Sequence, residues 1–224
     1  MRKETKMKPY QIFLIRHGNS LSNAQGSTNL KDPDVPLTEL GKRQAKEAGM
    51  FLKRYFKEQN IDPTSCLYYT SHYLRAEDTM QHIIANLDNS ISYLSEPIIR
   101  EREYGLFDGL DKSEYQKITP DYGTYRNFEE RFFQRAPEGE SVQDVYERTG
   151  EFIHHLLSAP NFSSTPIVII SHSEAIGCML MHLLGKDLYW YYRTPSPNNA
   201  EIIHLISPCG IYFDKEILFT PPQY

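Results

Sequence analysis

Short apolar runs alternate with longer amphipathic stretches along this chain, and the alternation predicts strands joined by helices. The run IFLI at 12–15 is apolar at every position, the pattern of a strand covered on both sheet faces. It stops at Arg16-His17-Gly18. After a polar stretch through Pro36, Thr38 is suited to cap a helix whose apolar positions Ala45, Ala48, Leu52, Tyr55 and Phe56 recur at helical spacing. Pro63 closes the connection, Cys66 to Tyr69 predicts a second buried strand running into Thr70-Ser71-His72, and a helix follows from about Leu74 to Leu87. Ser141 begins an amphipathic helix carrying Val142, Val145, Phe152, Ile153 and Leu156. Pro166 then introduces a third strand, IVII at 167–170, which ends at Ser171-His172-Ser173 before a helix from about Glu174 to Leu184. The alternating segment EIIHLI at 201–206 and Gly210 predict a closing hairpin. The expected fold is α/β: a three-layer, doubly wound, largely parallel sheet with helices on both faces.

The middle of the chain breaks this rhythm. From about 106 to 140, glycines and prolines are scattered among Phe107, Tyr115, Tyr122, Tyr125, Phe128, Phe132 and Phe133, which predicts a small helical and aromatic cap inserted in a single domain spanning 1–224. At 224 residues with 40% hydrophobic content, the chain is long enough to bury a full core. A net charge of -5 argues against nucleic acid or anionic lipid as a partner. The apolar run after the basic N-terminus is too short for a leader or a span, so the expectation is a cytoplasmic protein with no membrane partner. Cys66, Cys178 and Cys209 lack CxxC spacing and are expected to be reduced core residues. His154 and His155 are adjacent on a helix and point about 100° apart, so no metal site or cofactor is expected there. The pattern sets no oligomeric state.

Open α/β sheets place ligands at the carboxyl ends of their strands, and two of the buried strands end at a histidine, His17 and His172. Either one alone reads as a capping or core histidine. Together, beside a strand ending at SHYLRAEDT, they point to a phosphoryl site, which needs several fixed donors aimed at its oxygens. Arg16 and Arg75, in turns expected to follow strands, supply planar forks for that task. Gly18 is expected to let backbone approach a ligand closely.

The motifs RHGNSLSN at 16–23, DPDVPLTELGKRQA at 32–45, SHYLRAEDT at 71–79, EREYGLFDG at 101–109 and SHS at 171–173 resemble, in order, those of the histidine phosphatase superfamily, the phosphoglycerate mutase-like fold. The resemblance implies that His17 is the nucleophile, that Arg16, Arg75 and His172 form the phosphate pocket, and that Glu101 is the proton donor. Asn23, Tyr104 and Ser173 are further expected contacts to a small-molecule phosphomonoester. Glu103 competes with Glu101, but the family pattern sets the acid four residues before a glycine, here Gly105. Asn19 and Ser173 stand where the family most often has Glu and Gly, and Glu39 and Asp78 lie in matching motifs without assigned chemistry. The resemblance implies a metal-independent phosphatase. A phosphoglycerate mutase-type phosphotransferase is the alternative, disfavoured because Arg126, Arg131 and Arg135 in the insert are isolated and not paired. A non-catalytic phosphate-binding protein is a further alternative, of which loss of His17, Glu101 or an arginine would be expected. The stretch 126–152 is expected to select the organic part of the substrate.

Overall fold

The computed structural model describes residues 9–25, 32–110, 112–159 and 165–224, so the basic residues 1–8 lie outside it. In chain order the elements are β1 (Tyr10–Arg16), α1 (Leu21–Gln25), α2 (Glu39–Glu58), β2 (Leu67–Thr70), α3 (Leu74–Leu87), β3 (Leu94–Ser95), α4 (Lys112–Ile118), α5 (Phe128–Phe133), α6 (Val142–Ser158), β4 (Ile167–Ser171), α7 (Ser173–Leu184), α8 (Leu188–Arg193), β5 (Ile202–Ser207) and β6 (Asp214–Phe219). The strands form one mixed, mostly parallel sheet in the order β3-β2-β4-β1-β5-β6. β1, β2, β3 and β4 pair in parallel, and β5 is antiparallel to both β1 and β6.

Alternation within the apolar strands feeds two cores. Ile12 and Leu14 of β1 and Ile167 and Ile169 of β4 pack with Phe152, Ile176 and Met179, from α6 and α7. Phe13 and Ile15, with Val168 and Ile170, face the opposite way onto Ala48, Leu52, Met80 and Ile83, from α2 and α3. Helices therefore cover both faces, as expected of strands with no polar side. Thr38 caps α2 by accepting from the Gly41 N–H, and Ser141 forms a capping box with Asp144 at the start of α6. The hairpin after Gly210 forms between β5 and β6.

Several expectations are corrected. The second strand starts at Leu67, leaving Cys66 to cap a 3-10 turn. Arg16 is the last residue of β1 and Arg75 lies in the first turn of α3, so neither sits in a free turn. Cys66 and Cys178 are buried, but Cys209 is exposed, because the apolar run ends at Ile206 and the β5–β6 turn carries Cys209 outward. The brief β3 and the aromatic helix α8 carry little periodicity and were not anticipated.

Between β3 and α6, Phe107, Tyr122 and Ala136 form a small buried cluster with Tyr104 and Tyr115. Phe132 instead joins Val142, Val145, Ala175 and Cys178 at the ends of α6 and α7. The cap therefore leans on the carboxyl end of the sheet, where the strands deliver their histidines.

Candidate active site

β1 and β4 run side by side with Arg16 in register with Ser171. The next residue of each strand is a histidine, so the register alone brings His17 and His172 together, their ring centroids 5.0 Å apart. The His17 N–H donates to the Ser171 carbonyl at 3.0 Å, extending the ladder one residue into the site. From the first turn of α3, Arg75 donates through Nε to His17 Nε2 at 3.2 Å. A guanidinium only donates, so Nε2 carries the lone pair and Nδ1 the proton, which it gives to the Gly18 carbonyl at 2.7 Å. Burial first, then the charges of Arg75 and Arg16, hold the His17 pKa well below its usual 6.5. His172 is lowered the same way, by burial and then Arg75, and its two ring nitrogens have no protein partner among the described residues.

The loop after His17 is clamped to the start of α2. Thr38 Oγ1 donates to Asn19 Oδ1 at 2.8 Å, and the Asn19 N–H donates to Gln44 Oε1 at 2.9 Å. A Cβ at Gly18 would lie 2.4 Å from the Gly41 carbonyl oxygen, and one at Gly41 would lie 2.0 Å from that of Asn19. Gly18 thus admits the backbone of α2. Asn23 Oδ1 accepts from Ser20 Oγ at 3.0 Å and from Asn199 Nδ2 at 3.0 Å, and Asn199 also donates to the His17 carbonyl.

Glu101 reaches the site from the other side. Its carboxylate accepts from the N–H groups of Glu174 and Ala175, each at 3.3 Å, at the otherwise uncapped start of α7. Burial raises its pKa, against Arg75 and the backbone donors, which favour the charged form. Glu103 points away and pairs with Arg100 at 2.8 Å. Glu39 is exposed in a pair with Lys42.

Arg16, His17, Asn23, Arg75, Glu101 and Tyr104 line one cavity of about 330 Å³. A second cavity, of about 510 Å³, shares Tyr104 with it and includes Ser173 in its wall. Ser173 therefore borders the adjoining space and not the cavity around His17. Of the insert arginines, Arg126 pairs with Glu130 and Arg135 with Asp144, whereas Arg131 lines the larger cavity with its guanidinium 4.5 Å over the Tyr192 ring.

Four contributors escaped the sequence reading. Asp32 pairs with Arg75 at 2.9 Å and lines the His17 cavity, and its place in a matching motif was the available signal. Glu174 directly follows SHS. Arg102 is a buried arginine in the wall of the larger cavity. Arg148, on α6, donates to the carbonyls of Ile98, Arg100 and Glu101, and no spacing marks it. Among the described residues, no group of three or more His, Cys, Asp or Glu is arranged to hold a metal ion, and no helix is long and apolar enough to cross a membrane.

The family model described as histidine phosphatase superfamily (branch 1) matches residues 12–208. A phosphoglycerate mutase-like protein of Arabidopsis thaliana is 31% identical over 75% of this chain, which spans 64% of that relative's length. A 2,3-bisphosphoglycerate-dependent phosphoglycerate mutase of Bartonella tribocorum is 30% identical over 94% of this chain and 98% of its own. Among solved structures, a mycobacterial glucosyl-3-phosphoglycerate phosphatase superposes with a TM-score of 0.73 at 21% identity, covering 94% of this chain and 98% of its own, a likeness of fold.

Proposed function

The chain belongs to the histidine phosphatase superfamily, branch 1, and from that premise we propose that it is a phosphohydrolase acting on small-molecule phosphomonoesters through a phosphohistidine at His17. The observation that carries the reading is the fixed tautomer of His17, whose Nε2 lone pair is held by Arg75 in a cavity shared with Glu101. Nε2 bonds to phosphorus as the bond to the leaving oxygen breaks, and Glu101 gives its proton to that oxygen. Water then attacks phosphorus, Glu101 takes the water proton, and the P–N bond breaks to release phosphate. Arg16, Arg75 and His172 hold the phosphoryl oxygens throughout, Asn23 braces the loop, and Tyr104 lies against the organic part.

Hydrolysis is favoured over mutase transfer because the insert offers one cavity-lining arginine, Arg131, while Arg126 and Arg135 are spent on carboxylates. Retaining and re-presenting a phosphoryl group to a bound product calls for more positive charge than that. Wild type incubated with p-nitrophenyl phosphate is expected to release phosphate, unchanged by EDTA, with His17→Ala inactive. Equal activity of His17→Ala would sink the proposal. With 3-phosphoglycerate the expected product is free phosphate, and accumulation of 2-phosphoglycerate would turn the reading to mutase.

A further inference from the structure

Glu174 leaves a buried acceptor unanswered. It sits in the first turn of α7, in the wall of the larger cavity, and its Oε2 has no hydrogen-bond partner among the described residues. The nearest cation, Arg102 Nη1, is 3.9 Å away. The other nitrogens of that guanidinium are committed to the Glu140 carbonyl, the Tyr122 hydroxyl and the Gln134 carbonyl. The Tyr192 hydroxyl in the same wall is also buried and unpartnered. A buried polar atom without a partner costs stability that a ligand's donor would recover.

The position of Glu174 says which part of a ligand it would meet. Its own N–H donates to Glu101 Oε2 at 3.3 Å, so the two residues stand in series from the His17 cavity outward. A leaving-group oxygen at Glu101 places the next carbons of the substrate beside Glu174. The chemistry of the wall narrows the choice. A cationic organic part meets Arg102 and Arg131, and a purely aliphatic one leaves Glu174 Oε2 and the Tyr192 hydroxyl unpaired. A neutral ring bearing hydroxyls supplies donors to both and apolar faces to Tyr104, Tyr122 and Tyr125.

Resting on the phosphohydrolase reading, we propose that the larger cavity seats a polyhydroxylated ring, that the substrate is a sugar-type phosphomonoester, and that Glu174 is the residue selecting it by accepting its hydroxyl hydrogen bonds. The test compares kcat/KM for glucose 6-phosphate with that for n-hexyl phosphate, since a ratio cancels what the two esters share at His17. Wild type is expected to favour the sugar ester by at least about tenfold, expressed in KM, the equivalent of about 1.4 kcal/mol. Glu174→Ala is expected to bring the ratio to within about threefold of unity, and Glu174→Gln, which keeps an acceptor oxygen, to hold an intermediate value. A wild-type ratio near unity, or one unchanged in Glu174→Ala, overturns the proposal, and if that variant does not fold, an unchanged ratio in Glu174→Gln does so. Turnover of p-nitrophenyl phosphate with a flat ratio overturns this proposal alone. No turnover of any ester overturns the phosphohydrolase reading as well.

Discussion

At His17, neighbours decide the protonation state before any substrate arrives. Burial and two arginines keep the imidazole neutral below its usual range, while burial keeps Glu101 protonated above its own. In the proposed roles, His17 is therefore ready as nucleophile on the acid side of neutrality, and Glu101 loses the proton it would give as pH rises. The expected profile of kcat/KM on an alkyl phosphate is a bell whose acid limb lies below the usual histidine range and whose alkaline limb lies above the usual carboxylate range. A rising profile through about pH 8 would contradict the assignment of Glu101. Glu101→Gln is expected to lower kcat by about 100-fold on an alkyl phosphate, whose leaving group needs a proton, and by less on p-nitrophenyl phosphate, whose leaving group departs unaided. Asp32 occupies the fork of Arg75 through its carboxylate and its carbonyl oxygen. Asp32→Asn removes a negative charge that competes with phosphate, and a KM several-fold lower, roughly threefold, is the expected result. An unchanged KM would mean that the pair is structural only.

The elements hold these residues by contacts that lie outside the motifs. Arg148 of α6 ties down the backbone of Ile98, Arg100 and Glu101 while pairing with Glu140 at 2.9 Å. Arg148→Met is expected to lower kcat by about tenfold or more with little change in KM, because the phosphate pocket survives while the acid drifts. A urea midpoint low enough to leave the variant partly unfolded in the assay would instead assign the lost turnover to folding, since unfolding lowers kcat without changing KM. At the opposite side, the start of α2 and the loop after β1 meet backbone to backbone at Gly18 and Gly41. A methyl at Gly41 has nowhere to go, so Gly41→Ala is expected to lose about 1–3 kcal/mol of stability in urea titration and to displace His17.

At the scale of the whole molecule, buried titratable groups pull stability in opposite directions with pH. His17 and His172 titrate lower in the folded state than the usual 6.5, so their share of stability is present above that value and is lost on acidification. Glu174 is pushed up to about 7 by burial and then by Glu101, so its share is present below the usual 4.5 and is lost as pH rises through about 7. Glu174→Gln removes only the second contribution. The variant is therefore expected to gain on wild type between about pH 5 and about pH 8, read as the difference in urea midpoints, and a constant difference would refute the assignment. Period and motif were enough to locate the three buried strands, the helix over Leu74–Leu87 and the meeting of His17, Arg75 and Glu101 around one cavity with His172 packed behind His17, because local hydrophobic spacing dictates local structure and the motifs sit where strands must end. The partners of those residues were not legible. Asp32 on Arg75, Arg148 behind Glu101 and the unanswered Oε2 of Glu174 arise only when segments far apart in the chain pack together. A charged side chain in sequence carries no mark of whether water or a buried partner will answer it, so that choice belongs to the tertiary structure.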